Sequence, residues 1–92
     1  MSKEVKVSMI LIQRIILQRL NQVTADDLLK YSKQYGISIT RSQAAEVAAL
    51  MHGKNINIFD EQERLRLLKK VETITSKETA RKVDELFNQF SG

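Results

Sequence analysis

The chain carries one histidine, His52, and no cysteine. Nucleophilic catalysis by a serine or threonine needs a base within hydrogen-bond reach, and His52 would have to supply it alone. Its context, just ahead of Gly53, is the last turn of a helix, where the dipole favours a charged imidazole. A structural role accounts for it. Without cysteine there are no disulfides, thiolate nucleophiles or thiolate zinc sites. The carboxylates cluster as Asp26/Asp27 and Asp60/Glu61/Glu63. Both clusters fall where helices begin, so the dipole explains them without a metal or an acid–base pair. No glycine-rich phosphate loop exists, and no basic and aromatic residues alternate as a base-stacking surface would require. Tyr31 and Tyr35, one helical turn apart, read as half-buried edges of a core. No enzyme, cofactor or metal is expected.

Two stretches could still bind something. GISITRSQ (36–43) and GKNINIFDEQE (53–63) share a grammar: a helix-ending glycine, an Ile-x-Ile pair, a capping residue, then Gln or Glu three positions on. Two helix–loop–helix units with paired isoleucines have the outline of EF-hands. A calcium loop, however, carries Asp or Asn at several fixed positions around its glycine. Here the glycines follow KYSKQY and EVAALMH, which hold no carboxylate cage. An EF-hand-like geometry without calcium is the residual form of that idea. Residues 24–52 also resemble a helix-turn-helix, in which Arg41, Ser42 and Gln43 would open the recognition helix. The following AAEVAALM is apolar, so nucleic-acid binding is the alternative rather than the main expectation.

Charge bears on the same choice. The net charge is +4 over 92 residues. Lys3, Lys6, Arg14 and Arg19 against Glu4 give +3 before residue 24, whereas residues 60–92 mix seven acids with seven bases. A surface that tracks phosphates concentrates one sign on one face, and this distribution does not. The run MILI (9–12), behind Lys3 and Lys6, is too short to span a bilayer. It is broken by Gln13 and Arg14 and lacks a small-residue cleavage site, so neither an export leader nor a membrane segment is expected. The expected location is cytoplasmic.

These residues are positioned by a row of capped helices. The first, over residues 7–22, carries Met9, Ile12, Ile16 and Leu20 on one stripe. Leu11 and Ile15 widen it on one side, Ile10 and Leu17 on the other. Only Arg14 and Gln18 mark a polar face. A surface helix needs an apolar arc of about 100°, and this one exceeds it, so it must lie under other helices or pack against another chain. Four isoleucines lower its helix propensity, which leaves a strand over MILI as a minor alternative. Thr24–Asp27 and Thr40–Gln43 read as capping boxes that open the second and third helices. Val23/Leu28 and Ile39/Ala44 serve as their staples, and Gly36 and Gly53 end them. Asp60-x-x-Glu63 opens a fourth helix, with Leu65, Leu68, Val71 and Leu67 facing inward. TSKE, from Thr75 or Ser76, opens a fifth, with Ala80, Val83, Leu86, Phe87 and Phe90 at helical spacing.

The predicted fold class is all-α. It is a compact five-helix single domain over 7–90, with a disordered tail at 1–6. Two short extended Ile-x-Ile joints, at Ile37/Ile39 and Ile56/Ile58 with Phe59, plug into the core. Whether they pair as a tiny β-ladder is left open.

The stretch from LLKYSKQYGISIT to LFNQF, with YGISIT-x-x-QA, GKNINIFD and ITSKETARKVDELFNQF, resembles the YqfT-like family of small Bacillus proteins. That resemblance covers the chain from about residue 8. It implies a bacterial cytoplasmic protein and carries over no activity, cofactor or site residue. The expected function is therefore a non-enzymatic protein-interaction or self-association module, with an unidentified protein or a second copy as its partner. For a homodimer, the interface candidates are Met9, Ile10, Ile12, Leu17 and Leu20.

Overall fold

A computed structural model describes residues 2–91, and describes side-chain surroundings for residues 10–89. Five helices follow one another: α1 Ser2–Asn21, α2 Ala25–Gln34, α3 Arg41–Met51, α4 Glu61–Ile74 and α5 Lys77–Ser91. α1 begins at Ser2 and so takes in residues 2–6, which the sequence reading set apart as a tail. α2 packs on α3 and α4 on α5 as two helical hairpins, joined through contacts between α3 and α4.

Side-chain caps set the helix starts. The Thr24 hydroxyl accepts from the Asp27 amide at 3.2 Å, and the Asp27 carboxylate accepts from the Thr24 amide at 3.1 Å. Thr40 and Gln43 do the same at 3.1 and 2.9 Å. At α4 the box is half made. Asp60 accepts from the Glu63 amide, but the Glu63 carboxylate accepts from the amide of Asn57 rather than that of Asp60. At α5 the cap is Ser76, whose hydroxyl accepts from the Thr79 amide at 3.1 Å. Thr75 instead finishes α4, donating its hydroxyl to the carbonyl of Val71. Thr24→Ala and Thr40→Ala are each expected to lower the unfolding free energy by about 1 kcal/mol. The two boxes share no partner, so the losses should add. Urea unfolding of both single variants and the double variant checks this.

The core is drawn from regular stripes. Ala44, Val47, Ala48 and Met51 are the buried face of α3, at the i, i+3, i+4, i+7 spacing of one helix side. On α4 the buried stripe is Leu67, Leu68 and Val71. Leu65, expected inside, is 51% exposed. Two residues before Leu67 it points about 200° around the helix, away from the core. Arg64 takes the inward position one turn before Leu68. Its Nε lies 3.5 Å from Oδ1 of Asp84 on α5. Both atoms are sealed from solvent without the alignment of a hydrogen bond, so they form an ion pair bridging the α4–α5 hairpin.

The two Ile-x-Ile joints do not pair, and the described residues contain no strand. Several backbone donors in and around them bond elsewhere. After α2, Gly36 adopts φ +67°, and the Ile37 amide reaches back to the carbonyl of Ser32 at 2.8 Å. This is the bond that closes a left-handed helix end. After α3 the chain is fastened to the end of α1. The Gly53 amide donates to the Asn21 carbonyl at 2.8 Å, and the Asn55 amide to the Asn21 Oδ1 at 2.8 Å. Nδ1 of His52 sits 3.1 Å from the Val23 carbonyl, a contact that places the ring proton on Nδ1. Ile58 does not continue an extended run. It lies in a turn in which the Asp60 amide donates to the Asn57 carbonyl and the Phe59 amide to the Asn57 Oδ1.

Candidate interaction surface

The two hairpins leave an open slot between α2 and α5. Leu28, Tyr31 and Tyr35 of α2 line it, with Ile37 and Ile39 beyond, and Thr79, Val83, Leu86 and Phe87 of α5 do so as well. Val47 and Met51 of α3 and Leu67 and Val71 of α4 also contribute, and the last turns of α1 bring Ile16, Arg19 and Leu20 to it. Its volume is about 250 Å³.

Three hydroxyls in the slot, those of Ser32, Thr75 and Thr79, are bonded within the chain. The Ser32 hydroxyl donates to the Leu29 carbonyl at 2.7 Å. The Thr75 hydroxyl donates to the Val71 carbonyl at 2.6 Å, and the Thr79 hydroxyl accepts from that of Ser76. Apart from these, Arg19 and the two tyrosines, the lining is apolar, so the slot suits a mainly apolar occupant. Tyr31 and Tyr35, 36% and 43% exposed, stand along it as exposed edges rather than as part of the core.

The second feature is α1. Ile16, Leu17 and Leu20 pack against the core. One to two turns earlier Ile10, Leu11, Ile12 and Ile15 are each more than half exposed. Successive residues are about 100° apart on a helix, so Ile10, Leu11 and Ile12 show this half of α1 uncovered around much of its circumference. The sequence-derived interface set is therefore split. Ile10 and Ile12 face solvent, Leu17 and Leu20 serve the core, and the side chain of Met9 lies outside the described residues. Of the two ways of covering α1 that the sequence left open, cover by the chain's own core reaches only its C-terminal half.

Two of the three residues singled out for nucleic acid are in other use. Arg41 pairs with Asp26 at 3.0 Å. Gln43 is committed to the Thr40 cap and to the Ile74 carbonyl. Ser42 is exposed at the start of α3. No group of three or more metal-ligating side chains occurs among the described residues, and no described helix is long and apolar enough to cross a membrane. The slot itself had no signal in the sequence. Periodicity shows which face of each helix is apolar, not whether two such faces close on each other.

Fold and surface together define an all-helical domain of two hairpins, with an open apolar slot and a projecting apolar helix. The chain belongs to a family described as proteins of unknown function (DUF2624), which it matches over residues 9–91. It is 80% identical over 83 residues to the uncharacterized protein YqfT of Bacillus subtilis (strain 168), an alignment that covers 90% of this chain and 99% of that protein. No solved structure matches. The resemblance read from GKNINIFD and its neighbours is thus shown.

Proposed function

We propose that this protein is a non-enzymatic interaction module that works by burying apolar helix surface. One observation carries the reading: four large aliphatic side chains of α1 stand more than half exposed beside a slot lined mainly by apolar side chains. Such a patch, on the order of 400 Å², falls in the range of the largest apolar patch on a soluble domain, which is often functional. The nucleic-acid alternative finds less support, because Arg41 and Gln43 are held by partners of their own. It predicts complexes with DNA or RNA that weaken steeply with salt.

A photo-crosslinking residue placed at Ile12 or Tyr35 in the native cell is expected to yield defined protein adducts, to itself or to another chain. The same residue at exposed, polar Glu72 of α4 should yield none. A lack of adducts at both apolar positions would remove the reading.

A further inference from the structure

Building on the interaction-module reading, we infer that the occupant of the slot is the exposed half of α1 from a second copy of this chain, in a twofold arrangement. Both complementary surfaces belong to one molecule, and they are continuous. Ile12, Ile16 and Leu20 form one stripe of α1. Ile16 and Leu20 line the slot, while Ile12, one turn earlier, is 54% exposed. The stripe therefore runs out of the slot onto the free half of the helix. Two α1 helices laid antiparallel about a twofold axis would each carry their free half to the other's slot. A self-complementary contact of this kind closes as a dimer and leaves no open end.

Dimensions agree. From Ile10 to Ile15 the exposed half of α1 rises about 7.5 Å, and the wall from Leu28 to the Tyr35 cap of α2 rises about 10 Å, long enough to receive it. Area agrees as well. Two exposed α1 halves with two slots bring together on the order of 1,200 Å², where specific interfaces begin. Charge is met at the rim. Arg14 flanks the Leu11–Ile15 arc, and Arg19, which lines the slot, must extend its guanidinium to water when the slot fills, as long basic side chains do at apolar surfaces. Tyr31 and Tyr35 belong to a residue type enriched at the centres of such contacts.

The absence of cysteine makes the test clean. Full-length chains carrying Ile12→Cys and Tyr31→Cys are mixed and mildly oxidised. A mixed disulfide is expected to exceed any formed with a Glu72→Cys control. Sedimentation equilibrium from 1 to 100 µM should give a dimer. Ile12→Glu should weaken it at least tenfold while leaving the helical circular dichroism and the melting transition of the monomer in place, because the position is exposed.

A strict monomer at 100 µM overturns the inference, as does a dimer indifferent to Ile12→Glu or one without the mixed disulfide. A monomer that still crosslinks to a different protein through Ile12 overturns only the second copy as occupant and leaves the interaction module standing. A monomer that binds phospholipid vesicles through α1 overturns the inference in favour of a lipid surface.

Discussion

Ile58→Ala is expected to lower the unfolding free energy by about 3 kcal/mol, within the range for removing a buried aliphatic side chain. Ile58 is 1% exposed and, with Val23, is the largest side chain sealed entirely within the domain. It sits in a turn pinned by Asn57, which accepts from Phe59 through its side chain and from Asp60 through its carbonyl. The backbone therefore has little freedom to collapse into the space left behind, and the cavity cost adds to the lost transfer energy. A domain of this length has only about 5–14 kcal/mol in all, so one side chain in a loop carries a large share. Ile56, half-buried in the same joint, should cost about 1 kcal/mol as Ala, in proportion to the surface it hides. Urea unfolding followed at 222 nm measures both. A loss below 1 kcal/mol for Ile58→Ala would mean that this link is not wedged among the helices. Amide exchange offers an independent check: the amides of Gly53, Asn55 and Phe59, all bonded within the fold, should be protected.

How far the sequence could be read follows from the range of the forces involved. Caps act over three or four residues, so Thr24, Thr40 and Asp60 were legible as helix starts and Gly36 and Gly53 as ends. The family was legible for a similar reason, since strings such as GKNINIFD are local. Pairing of the joints was not. It depended on where each amide finds its acceptor, and the answer for Gly53 and Asn55 is Asn21, more than thirty residues away. The half-made cap at Glu63 has the same origin, because Asn57 competes for the carboxylate. For α1, the helical wheel showed a wider apolar arc than a surface helix needs. It could not show that Ile16, Leu17 and Leu20 serve the core while Ile10, Leu11, Ile12 and Ile15 stand clear, because the helix is apolar over most of its circumference and periodicity has little contrast to report.

α4 and α5 test that last point from the opposite direction. Phe87→Ala is expected to cost about 3–4 kcal/mol, whereas Leu65→Ala should stay within about 0.5 kcal/mol of the parent protein. Both residues looked like core in the sequence. Phe87 is 7% exposed and belongs to the central cluster; it is also part of the slot lining, between α5 and the α3–α4 floor. Removing its ring would widen the slot rather than leave a closed void that neighbours could fill, so the lost contacts go unreplaced. Leu65 stands half in water on the outer face of α4, and truncating it removes little buried area. In a domain of this size each kcal/mol shifts the melting temperature by about 4–8 °C, so Phe87→Ala should melt at least 12 °C below the parent and Leu65→Ala within a few degrees of it. Equal shifts for the two variants would mean that α4 presents a different face to α5, with Leu65 inside and the Arg64–Asp84 pair broken. The slot, to which α4 and α5 contribute Leu67, Val71 and Phe87, would then have to be redrawn.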